Sequence, residues 1–192
     1  MQDLGFYFDL GWHHIMDWGA LDHLLFVLAL CAIYVLANWK QVLVLVTAFT
    51  IGHSLTLALS VYDVIRVNGR WVEFLIPCTI VATAIFNFFQ RDFSAKSLRL
   101  NYFLALFFGL IHGMGFANAI RFMLAKDQSL GWSLFGFNIG LEAGQIVVVT
   151  GILLVCYLVV DLLKLNRKWW AWALSALAFC IALDMAWQRW PY

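Results

Sequence analysis

Six apolar runs, each near the ~20 residues needed to cross about 30 Å of hydrocarbon, constrain this chain more than any other feature. They cover roughly residues 21–38, 41–62, 71–90, 100–124, 132–163 and 169–188. Short polar links separate them: Asn38-Trp39-Lys40, Asp63–Arg70, Arg91–Arg99, Ala125–Gly131 and Lys164–Lys168. Links this short favour antiparallel neighbours. Hydrophobic residues make up 64% of the chain and charged residues 12%, where a soluble domain has about a quarter charged. The mean hydropathy of +0.86 agrees. The expected fold is therefore all-α: a polytopic transmembrane bundle of six helices, forming a single transmembrane domain over 1–192. Residues 1–18 interleave Phe6, Tyr7, Phe8, Trp12 and Trp18 with Asp3, Asp9 and Asp17, a mixture that suits the membrane interface. They are expected to form an N-terminal interfacial segment, either a short helix carrying Trp12 and Trp18 or a re-entrant piece, broken near Gly19.

Charge narrows the possibilities further. A net charge of +1 with no basic run gives no case for nucleic acid. Cys31, Cys78, Cys156 and Cys180 are isolated within apolar runs, so neither a thiolate metal site nor a disulfide framework is expected. The first twelve residues hold Asp3 and Asp9 and no Lys or Arg, so a cleaved signal peptide is not expected. Alternate loops carry Lys40; Arg91, Lys96 and Arg99; and Lys164, Arg167 and Lys168. These seven basic residues face five (Arg66, Arg70, Arg121, Lys126, Arg189) on the other side. The positive-inside rule then puts both termini outside the cytoplasm.

Ionisable side chains within the runs are where chemistry is sought, because a charge in a bilayer segment is costly. His14, Asp22 and His23 fall in HHIMDWGALDHLLF, at the head of the first run. Asp22 could simply cap a helix starting there. The second run holds His53, with Thr47, Thr50 and Ser54 within about 120° of it. The fourth holds His112 in FFGLIHGMGFA, where small residues would let another helix approach closely. The fifth, LFGFNIGLEAGQIVVV, carries a ladder of Gly136, Gly140 and Gly144; Asn138, Glu142 and Gln145 lie roughly opposite. Glu142 follows Trp132 by ten residues, about 15 Å along a helix. His53, His112 and Glu142 are thus all near the midplane. Neutral imidazole plus carboxylate suits zinc, nickel, cobalt or iron(II), and the lack of a thiolate cluster argues against copper(I). The candidate metal ligands are His14, Asp22, His23, His53, His112 and Glu142. Ser54, Asn138 and Gln145 are candidates for orienting them.

The same four motifs, in this order, resemble the HupE/UreJ family of bacterial membrane proteins, specifically its second branch, over about residues 11–150. The resemblance implies a multi-pass protein of the bacterial inner membrane, associated with hydrogenase and urease accessory functions and described as a nickel or cobalt permease. Metalloenzyme accessory proteins are the partners it implies, beside the metal ion and membrane lipids. The family's other branch carries an HxxxxxDH motif. Here His14, Asp22 and His23 would correspond, with seven residues between His14 and Asp22. Where that branch gathers two histidines and a glutamate, this chain offers His112, with Glu142 on the next run.

Two functions compete on these residues. The first is a permease passing a divalent transition metal inward, from capture at Asp22 and His23 to a midplane site at His53, His112 and Glu142. The second is an intramembrane metal-dependent hydrolase or transferase acting on a lipid or lipoprotein of the outer leaflet. Glu142 or Asp22 would then be the catalytic base. A scaffold whose histidines only bond between helices is the third reading.

Overall fold

The structure, a computed structural model, describes residues 4–17, 21–90, 95–124 and 130–192. Seven α-helices follow in order: α1 (Leu4–Met16), α2 (Leu21–Cys31), α3 (Trp39–Val61), α4 (Gly69–Phe89), α5 (Ala95–Leu124), α6 (Leu130–Cys156) and α7 (Arg167–Gln188). Among the described residues, four helical segments are long and apolar enough to cross a membrane: Leu36–Val61, Gly69–Phe89, Leu130–Leu162 and Arg167–Gln188. The pair α1–α2, bent by 66°, passes the same test only when taken together, as a broken span or a re-entrant loop, and α5 carries an apolar stretch over Asn101–Phe116. The chain is an all-α integral membrane protein.

Local chemistry sets several helix ends. Asn68 and Asn166 cap α4 and α7, their side chains accepting from the N–H groups of Arg70 (3.0 Å) and Lys168 (2.9 Å). Asp63 ends α3 with a positive φ of 61°, a conformation that short polar side chains tolerate. α6 runs on into a π-helical turn over Tyr157–Leu162 and stops at Lys164, φ 58°. Large exposed side chains such as Val44, Ile51, Phe103, Phe107, Leu154 and Trp169 form the lipid-facing surface.

One expectation gives way here. The run 21–38 is not one helix: α2 ends at Cys31, Ala32–Tyr34 are buried but non-helical, and a 3₁₀ turn covers Leu36–Asn38 before α3. With 11 residues, α2 is only about 16 Å long and does not span alone. The N-terminal segment forms helix α1. It packs along α6, burying Tyr7, Gly11 and Ile15. Trp18 and Gly19, the expected anchor and break, lie outside the described residues. The glycines explain the seating. A Cβ on Gly140 would stand 1.9 Å from the Phe8 carbonyl oxygen, and one on Gly11 2.0 Å from that of Phe137. Gly136 meets Leu4 and Tyr7 while Gly144 meets Trp12 and Ile15, so the two helices run parallel.

α3 and α5 form the second tight parallel pair. A Cβ on Gly52 would stand 2.3 Å from the Leu106 carbonyl oxygen, and Cβ atoms on Gly109 and Gly113 2.2 Å from those of Phe49 and His53. α4 and α7 are antiparallel, with Phe74 against Trp190 near one end and Asn87 bonded to Ser175 near the other. The bundle thus has an Asp63 end, where α3 and α7 finish and α4 begins, and a Leu163 end.

Candidate metal centre

His14 closes α1 and His23 lies in the first turn of α2. The two flank the bend in the broken span, and their ring centroids are 4.5 Å apart. His53 comes from α3 and His112 from α5, brought to the same level because Gly113 lets α5 lie on the backbone of His53. One ring nitrogen from each of His14, His23 and His53 lies within 4.8 Å of the other two. His112 completes the group, its ring 5.1 Å from that of His23. His53 and His112 are wholly inaccessible and His23 is 5% exposed. Phe26, Phe49, Phe116 and Phe137 wall the group with apolar rings.

Hydrogen bonding makes this cluster unusual. His14 Nε2, His23 Nε2, both nitrogens of His53 and His112 Nδ1 are buried without a hydrogen-bond partner in the protein. Buried polar atoms are normally paired, and an unpaired one costs about 1–3 kcal/mol. Four neutral imidazoles gathered in this way can offer a cation one lone pair each. Two nitrogens bound to one tetrahedral zinc-like ion are roughly 3.4 Å apart, so the trio needs a contraction of little more than an ångström. The second nitrogen of His112 is held: Nε2 lies 3.0 Å from Thr79 Oγ1. That hydroxyl donates its one hydrogen to the Ile76 carbonyl at 2.6 Å. It therefore accepts from Nε2–H, leaving Nδ1 with a free lone pair, which is the usual way a supporting group fixes a ligating tautomer.

A pocket of about 360 Å³ leads from His14, His23 and His112 past Gly115 and Phe116 to Asp22, Glu73 and Arg189. Arg189 Nη1 donates to both Asp22 oxygens, at 3.0 and 3.1 Å. Asp22 is thus at the mouth, on the Asp63 end, and is held by a cation of the chain itself. Glu142 does not join the histidines. Its Oε1 accepts from Thr47 Oγ1 at 2.8 Å, and Thr47 precedes His53 by six residues, about 9 Å along α3. The three expected supporting residues are also engaged elsewhere. Ser54 donates to the Thr50 carbonyl, Asn138 to the Leu134 carbonyl, and Gln145 Oε1 accepts from Thr50. The fifth histidine, His13, is exposed beside Asp9.

Sequence reasoning missed Thr79, Glu73 and Arg189. Glu73 carried the signal that singled out Asp22, a carboxylate at the head of an apolar run. Thr79 carried none, since hydroxyls in membrane helices routinely bond back to their own carbonyls.

Fold and site together define a helical membrane protein with a buried polyhistidine cluster at a break in its first membrane segment. The chain belongs to the HupE/UreJ family: the family model described as HupE / UreJ protein matches residues 1–189. Neither a curated protein nor a solved structure matches it.

Proposed function

We propose that the protein is a permease of the bacterial inner membrane for a divalent transition-metal cation of the nickel, cobalt or zinc type. The observation that carries this reading is the set of five unpartnered ring nitrogens on His14, His23, His53 and His112. Neutral imidazoles bind such cations while leaving them exchangeable, as passage requires. The bent pair α1–α2 supports it: transporters commonly build their ion sites where a membrane helix is interrupted. At the mouth of the histidine pocket Asp22 is paired with Arg189, so Glu73 supplies the net negative charge that concentrates cations before entry. The distribution of Lys and Arg turns the Asp63 end, with both termini, away from the cytoplasm, so the cation enters through that mouth.

Purified protein in detergent is titrated with Ni²⁺, Co²⁺ and Zn²⁺, and uptake is followed in proteoliposomes. One equivalent of cation is expected per chain, with saturable uptake. His23→Ala and His53→Ala should each abolish both while the protein still elutes as a folded species. Uptake by the doubly substituted protein at the wild-type rate would overturn the assignment.

A further inference from the structure

A second cavity lies on the far side of the histidines. Its volume is about 230 Å³, and Leu30, Thr83, Asn87, Asn101, Leu104 and Phe108 are among its walls. This gives room for several waters at about 30 Å³ each. The helices α2, α4 and α5 that line it also line the outer pocket. Along α2 the order is His23, Phe26, Leu30; along α4 it is Thr79, Thr83, Asn87; along α5 it is His112, Phe108, Leu104, Asn101. One three-helix wall therefore runs from the metal centre to the cavity. Phe26 separates the two, its ring 5.1 Å from His112 and 5.9 Å from Phe108.

The polar atoms of this cavity have one character. Thr83 donates its hydroxyl hydrogen to the Thr79 carbonyl at 2.8 Å. Asn87 Nδ2 donates to the Ala29 carbonyl and to Ser175 Oγ, at 2.7 and 3.1 Å. Asn101 Nδ2 donates to the Tyr34 hydroxyl at 3.0 Å, while its Oδ1 is buried without a partner. With the donors of Thr83 and Asn87 engaged and one Asn101 N–H given to Tyr34, what these side chains chiefly offer a visitor is oxygen lone pairs, the second Asn101 N–H being the one donor left over. Oxygen acceptors in an otherwise apolar chamber suit a hydrated cation in transit, held by dipoles and free to leave.

We infer that this cavity is the exit vestibule of the permeation path, receiving the cation from the histidines when the Phe26 ring moves aside. The inference rests on the permease reading and supplies the inner half of its route. Asn101 and Thr83 are its positioning residues.

The test measures metal binding and proteoliposome uptake side by side for wild type, Thr83→Val with Asn101→Leu, and Asn101→Asp. The double variant should retain one equivalent of Ni²⁺ at the histidines while its uptake falls at least tenfold. Asn101→Asp, which places a carboxylate in the vestibule, should bind a second equivalent of Ni²⁺ and release it more slowly. Wild-type uptake in the double variant, or a single equivalent in a folded Asn101→Asp protein, would overturn the vestibule and leave the permease reading standing. Absence of uptake in the wild type itself would overturn both.

Discussion

Replacing Gly140 by alanine should weaken metal binding although Gly140 touches no metal ligand. The added Cβ would stand 1.9 Å from the Phe8 carbonyl oxygen, about 1.5 Å short of ordinary contact. The obstructing atom is backbone, so no rotamer change relieves it and α1 must shift away from α6. Overpacking of this kind costs about 1–3 kcal/mol. His14 sits at the end of α1, so the same shift carries it away from His23 and His53, whose nitrogens now lie within 4.8 Å of its own. A displacement near 1 Å is large against metal–nitrogen bonds of about 2.0–2.1 Å, and an affinity loss of at least tenfold is expected. Gly151→Ala is the internal control. Nothing lies within 4 Å of its Cβ position in the same helix, and removing a helical glycine gains about 0.5–1 kcal/mol. Thermal unfolding in detergent and metal titration should move in opposite senses for stability, with affinity falling only for Gly140→Ala. A Gly140→Ala protein matching wild type in both would refute the claim that the glycine ladder positions the site.

Thr79→Val removes the acceptor for His112 Nε2–H and should lower metal affinity about 10–100-fold with little change in fold, as read by titration. Arg189→Gln frees Asp22; the unfolding temperature without metal should drop, and added divalent cation should restore more of it than in wild type, because two uncompensated carboxylates then flank the mouth. Glu142→Gln keeps an oxygen for Thr47 to donate to, so metal stoichiometry should be unchanged; loss of the bound equivalent would place this side chain in the site after all. Because imidazole must be unprotonated to ligate, apparent affinity should be flat at high pH and fall as pH falls, a trend that His14→Ala, having one competing imidazole fewer, should make shallower in the same titration.

The helices were legible where apolar runs and links alternate: α3, α4, α6 and α7 start or stop within a few residues of the expected bounds. The first run misled because Ala32, Ile33 and Tyr34 are buried and hydropathy cannot separate buried coil from helix. The aromatic and acidic mixture of α1 gave no sign that this helix lies along α6, a seating that the glycines of both helices allow. At the site, depth put His53 and His112 at one level but left His14 and His23 at the outer end, whereas the structure gathers all four. Depth is one coordinate, however, and it placed Glu142 with His53 and His112 because nothing in one sequence gives the angle at which α6 faces its neighbours. The bonds of Asn138 and Gln145, to the Leu134 carbonyl and from Thr50, were hidden on the same ground. The mouth was half visible: Asp22 was noticed, but Arg189 counted only as a topological charge, since a pair separated by 167 residues leaves no local pattern.

The parallel seating of α1 on α6 has a consequence for how the chain is made. Leu4 meets Gly136, so about 130 residues must be synthesised before α1 finds the surface that receives it. Until then His14 has no fixed position relative to His23, and the cluster is incomplete. A nascent chain halted before the glycine ladder would already hold His53 and His112 together through the α3–α5 pair, but His14 would lack the surface that seats it. The full four-histidine cluster is therefore completed late, with the insertion of α6.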